Sequence, residues 1–84
     1  MMEHTLKLGE SVVIGRGWLK RLRIVFAGES GPDVYSLVAE WTEVHNSAAY
    51  NLYFHKSQRE LTVLGGRMTV LGVTKHELRF RFER

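Results

Sequence analysis

Gly15-Arg16-Gly17-Trp18-Leu19-Lys20-Arg21-Leu22-Arg23-Ile24-Val25-Phe26 is the stretch on which the fold of this chain turns. From Arg21 onward, charged and apolar residues alternate. Side chains on a strand have period two, so Leu22, Ile24 and Phe26 fall on one face and Arg21 and Arg23 on the other. One strand thus offers a core face and a cationic face. Four of the twelve Lys and Arg residues lie here: Arg16, Lys20, Arg21 and Arg23.

On the N-terminal side, Thr5-Leu6-Lys7-Leu8 alternates as a short strand until Gly9-Glu10 breaks it. Ser11-Val12-Val13-Ile14 is a continuous apolar run with β-branched residues, the mark of a buried strand. Gly15-Arg16-Gly17 then reads as a turn or bulge, with Trp18 to Phe26 as the next strand. On the C-terminal side, Ala27 to Asp33 holds two glycines and the only proline and reads as a hairpin loop with an exposed tip. Val34 to Thr42 returns as a strand with Tyr35, Leu37, Ala39 and Trp41 on one face.

Residues 43–58 admit two assignments. Val44, Ala48 and Leu52 recur at helical spacing, with Asn46 or Ser47 as a cap. Tyr50-Asn51-Leu52-Tyr53-Phe54 favours a strand, with Asn46-Ser47 as a turn, and the strand is preferred. In that strand Tyr50, Leu52 and Phe54 face one way and Asn51, Tyr53 and His55 the other. Leu61 to Leu64 is a strand, Gly65-Gly66 a tight turn, and Arg67 to Val73 a strand. After a turn at Thr74-Lys75-His76, Glu77 to Glu83 gives the cleanest alternation of all: Leu78, Phe80 and Phe82 inward, Arg79 and Arg81 outward. About seven or eight short strands with frequent turns predict a single all-β domain over residues 1–84, an antiparallel barrel or sandwich. Val12 to Gly15 followed by Leu22 to Val25 is echoed by Thr62 to Gly65 followed by Met68 to Leu71. Either duplication or the ordinary recurrence of apolar strands and turns produces such an echo.

Composition sets the outer bounds. A chain of 84 residues buries only roughly 60–65% of its unfolded surface, so its core is thin. With no cysteine, neither a disulfide nor a thiolate metal site reinforces it, and a homo-oligomer is the expected source of extra stability. The lack of cysteine fits a cytoplasmic location. The opening Met1-Met2-Glu3-His4-Thr5 lacks a basic region and a long apolar run, so no signal peptide is expected, and no window is long and apolar enough for a membrane span. The net charge of +3, with a pI near 9.6, permits nucleic acid or an acidic partner without requiring either.

The segment Thr5 to Gly15 resembles the opening of the carbon storage regulator family: a short strand, Gly-Glu, then an apolar strand ending Ile-Gly. Thr69-Val70-Leu71-Gly72-Val73 with Leu78-Arg79 is similar to that family's central hairpin, and Val44-His45 to a later segment. The resemblance implies an intertwined, β-rich homodimer that binds GGA-containing RNA loops and is not an enzyme. Leu6 and Asn46 stand where the family carries basic, RNA-contacting residues.

The residues themselves suggest two kinds of binding. Phosphates need cations on one surface and single-stranded bases need aromatic faces, so Arg16, Trp18, Lys20, Arg21 and Arg23 are candidate nucleic-acid contacts, with Arg79 and Arg81 as a second row. Tyr50, Tyr53 and Phe54 exceed what one thin core buries and are candidate subunit-interface residues. The strand from Glu77 onward is a further candidate for edge-to-edge pairing. His4, His45, His55 and His76 are scattered and show no ligand spacing, so no metal is expected. No serine sits in a Gly-x-Ser-x-Gly context, no cysteine is available as nucleophile, and Ile14-Gly15-Arg16-Gly17 lacks the helix that a phosphate loop needs. Neither an enzyme nor a cofactor is expected. Two functions remain: RNA or single-stranded nucleic-acid binding, or a protein-interaction and assembly role with no nucleic-acid partner.

Overall fold

The computed structural model describes residues 2–17 and 20–83. Eight strands follow one another: β1 (Met2–Lys7), β2 (Ser11–Gly17), β3 (Lys20–Gly31), β4 (Val34–Glu43), β5 (Ser47–His55), β6 (Glu60–Val63), β7 (Gly66–Val73) and β8 (Glu77–Glu83). They form two four-stranded antiparallel sheets, ordered β1-β8-β7-β6 and β2-β3-β4-β5. The protein is therefore all-β. Both sheets are open, with β1 and β6 as the edges of the first and β2 and β5 as the edges of the second. No helix among the described residues is long and apolar enough to cross a membrane.

Alternation builds one core between the sheets. Ile24 and Phe26 of β3 and Tyr35, Leu37 and Ala39 of β4 join Leu78, Phe80 and Phe82 of β8 in a single buried cluster, completed by Leu6, Leu61, Val63, Met68 and Val70. Burying such side chains removes roughly 25 cal/mol of unfavourable hydration per Å² of apolar surface. Tyr35 is fully buried, and its hydroxyl has no hydrogen-bond partner. Burial pushes its pKa from the ordinary value near 10 to about 12, slightly opposed by the Arg59 charge.

Several local expectations need correction. Ala27 to Gly31 is strand, and only Pro32-Asp33 turns the chain. Bulges between Phe26 and Gly28 and between Glu29 and Gly31 absorb the residues that look like a loop. The turn after β6 is Leu64-Gly65, one residue earlier than expected, with φ of 51° and 77°. Positive φ at both central residues is the two-residue hairpin geometry that matches strand twist. Leu64 adopts it despite its Cβ, and its side chain packs against the core. Gly66 begins β7 instead. A Cβ there would stand 2.7 Å from the Glu83 carbonyl oxygen and closer still to the Phe82 ring.

The strand from Glu77 onward is not an edge. β8 lies between β1 and β7, so its main chain is already paired on both sides. Residues 47–55 do form a strand, as the tyrosine-rich stretch predicts. The internal echo also has a structural form. β2-β3-β4-β5 and β6-β7-β8-β1 follow the same path, and β3 and β7 each bulge before a glycine, Gly28 or Gly72. Phe26 pairs with Leu37 before one bulge and Val70 with Phe80 before the other. This equivalence places Ile24 on Met68, two residues away from the alignment that the sequence suggests.

Candidate nucleic-acid interface

The seven candidate cationic and aromatic positions do not form one surface. Arg79 and Arg81 are exposed on β8, on the side of the first sheet away from the core. Arg21 and Arg23 lie on the corresponding outer side of the second sheet, since their neighbours Leu22 and Ile24 are buried. The core thus separates the two rows of arginines. Trp18 lies outside the described residues. Arg16 occupies β2 opposite Arg21, and Lys20 occupies β3 opposite Glu43.

The two outer faces differ in charge balance. On the first sheet, Lys7, Arg67, Arg79 and Arg81 share the face with Glu3, Glu60, Glu77 and Glu83. The ladders set Glu3 against Arg81, Lys7 against Glu77 and Arg67 against Glu83. Cross-strand neighbours of opposite charge attract weakly but consistently, leaving this face close to neutral. On the second sheet, Arg23 meets Glu40: its Nε and Nη2 donate to Glu40 Oε2 at 3.1 and 2.5 Å. Val13, Val25 and Val38 flank that pair, half-buried.

Arg79, between Thr5 and Gly72, and Arg21 have no acid across their ladders. Arg16 faces Arg21 directly across the β2–β3 ladder, and the next residue across, on β4, is Thr42. Among the described residues no carboxylate pairs with Arg21. At the far end the charges are closed off. Lys56 donates to Glu29 at 2.5 Å, and this hydrogen bond holds the Glu29 carboxyl below the usual carboxylate range.

The proposed interface residues separate as well. Tyr50 and Phe54 lie on the core-facing side of β5, opposite Ala39 and Tyr35. Phe54 is half-buried, its ring 6.1 Å from that of Tyr35. Tyr53 projects from the outer side opposite Ser36, on the same face as Arg21 and Arg23. Tyr50 and Tyr53 are 56% and 61% exposed, well beyond the rest of the aromatic set that packs on the core.

His4 packs half-buried against Phe80, at 5.3 Å between ring centroids, whereas His45, His55 and His76 are exposed. Among the described residues no three His, Asp or Glu side chains cluster as metal ligands. What residue-by-residue reading missed is the main chain of β5, which forms an open sheet edge. The uncharged run from Ser47 to Phe54 was the available signal. Comparison with protein-family models, with curated proteins and with solved structures finds no match.

Proposed function

We propose that this chain is a small, non-enzymatic binding module that takes RNA or single-stranded nucleic acid on the outer face of the β2-β3-β4-β5 sheet. Binding centres on the end that carries Arg16 and Arg21. The observation that carries the proposal is the register that sets Arg16 opposite Arg21 with no carboxylate beside Arg21, while Lys7, Arg23, Arg67 and Arg81 each have an acid opposite, and Arg79, which lies between Thr5 and Gly72, has no second cation opposite. A phosphate between two such cations relieves their repulsion and releases condensed counterions. Tyr53, exposed on the same face, supplies a ring on which a base can stack, an interaction worth about 1–3 kcal/mol per base. Arg79 and Arg81 take no part. We read the two open sheets around their common core as a sandwich rather than a barrel.

The resemblance to the carbon storage regulators favours RNA over DNA within this proposal, while Leu6 and Asn46 remove the contacts that would carry that family's GGA preference. A labelled single-stranded RNA pool, titrated at two salt concentrations, tests the proposal. Affinity should fall with salt at a log–log slope of about −0.7 for each phosphate neutralised. No binding at low salt would contradict it. In that case the assembly role is favoured by the open edge of β5, where Tyr50 and Tyr53 are exposed.

A further inference from the structure

Each of the four sheet edges faces the same hazard, because unpaired N–H and C=O groups invite another strand. Three of them carry recognised protection. β1 bears Glu3 and Lys7. β6 has only four residues and begins with Glu60. β2 is bulged between Val13 and Gly15 and carries Arg16. β5 is nine residues long, has no bulge against β4, and has no charged residue from Ser47 to Phe54.

Hydrogen bonds at the two ends of β5 fix which main-chain groups face outward. Glu43 N–H donates to Asn46 O at 2.6 Å, and Lys56 N–H donates to Asp33 O at 2.7 Å. Both pairs continue the register of the β4–β5 ladder, in which hydrogen-bonded pairs recur at every second residue. Ala48, Tyr50, Leu52 and Phe54 therefore bond inward to β4. The N–H and C=O groups of Ser47, Ala49, Asn51, Tyr53 and His55 point to the open edge. His55 is already closed off: its N–H donates to Gln58 Oε1, and its carbonyl accepts from Gln58 N–H, both at 3.0 Å. The free edge is thus Ser47, Ala49, Asn51 and Tyr53.

We propose that this edge pairs with β5 of a second copy, antiparallel, about a two-fold axis at Tyr50. One register alone matches every free residue with a free residue. It sets Ser47 against Tyr53 of the partner subunit and Ala49 against Asn51 of the partner subunit. A shift in one direction sets Ser47 against the closed His55 of the partner subunit. A shift in the other sets Tyr53 against His45 of the partner subunit, beyond the strand. The Gln58 cap therefore selects the register. On the core-facing side, Tyr50 meets Tyr50 of the partner subunit as a non-hydrogen-bonded pair, the closest arrangement in an antiparallel ladder. This contact covers the exposed Tyr50, leaves the Tyr53 ring on the outer face, and joins the two β2-β3-β4-β5 sheets into one continuous sheet. It does not depend on nucleic acid.

Sedimentation of the full chain at high micromolar concentration should give twice the 9.7 kDa mass of one copy. Tyr50→Arg, which sets two like charges on the axis, should return the mass to that of one copy with an unchanged circular dichroism spectrum. Because the chain has no cysteine, single-cysteine variants test the register cleanly. Tyr50→Cys brings two thiols to a Cα separation of about 4.5 Å, within the roughly 4.4–6.8 Å that a disulfide spans, and should cross-link on oxidation. Tyr53→Cys sets them roughly 20 Å apart and should not. A single-copy mass for the unaltered chain, or equal cross-linking of the two cysteine variants, would overturn the proposal.

Discussion

Arg16 and Arg21 stand directly opposite one another across the β2–β3 ladder, and Thr42 rather than a carboxylate is the next neighbour across the sheet. On this face Arg23 meets Glu40, whereas the register sets Arg21 opposite a second cation. Arg21→Glu turns the repulsive pair into an attractive one. Its unfolding free energy should rise by roughly 0.2–1 kcal/mol, the scale of a cross-strand charge pair. Urea denaturation of the variant and the parent measures this. A large loss of stability would show that Arg21 has a structural partner.

Arg23 is held by Glu40 on the same face, so its charge is only partly available to a ligand. Glu40→Gln removes that competition. Single-stranded RNA should bind more tightly, with a salt slope steeper by about 0.7, one additional phosphate contact. Stability should change by less than about 1 kcal/mol because the pair is partly exposed. Fluorescence titrations across a salt series measure the first effect and urea denaturation the second.

Tyr35 carries its hydroxyl into the core without a partner. A buried polar group left unpaired costs about 1–3 kcal/mol, so Tyr35→Phe should raise stability by about 1 kcal/mol. The same burial sets a pH dependence. Below pH 10 the phenol is neutral in both the folded and the unfolded chain. Above pH 10 only the unfolded chain ionises, until the folded phenol does so at about 12. The Tyr35 contribution is therefore lost as pH rises through that window, by up to roughly 3 kcal/mol. In Tyr35→Phe that share of the alkaline decline should disappear.

Gly66 has no room for a side chain, because a Cβ would crowd the Phe82 ring and the Glu83 carbonyl oxygen. Gly72 has nothing within 4 Å of the same position. Overpacking typically costs about 1–3 kcal/mol, so Gly66→Ala should be destabilised by that much. Gly72→Ala should stay within about 0.5 kcal/mol of the parent. Thermal denaturation of the two variants separates close packing from a general intolerance of glycine replacement.

The strands were legible where apolar and polar residues alternate without interruption, as in Leu78, Phe80 and Phe82, because a two-residue period has one structural meaning. Glycine misled in two places. Gly28 and Gly31 mark bulges rather than a loop, and Gly66 serves close packing while Leu64 enters the turn. The arrangement of strands was not legible, because which strands pair is decided by contacts far apart in sequence. Local pattern cannot show that β8 is interior or that Arg79 and Arg81 lie across the core from Arg21 and Arg23. It equally cannot reveal that β5 keeps a free edge, which depends on where the sheet stops.

The measurement that tests the account most directly is the affinity of a labelled single-stranded RNA pool for the parent chain, Arg21→Glu and Arg81→Glu at low salt. Both variants change the net charge by the same amount, so a general electrostatic effect weakens both alike. The account predicts that Arg21→Glu loses binding while Arg81→Glu retains nearly all of it. Equal weakening of the two variants, or full binding by Arg21→Glu, would contradict it.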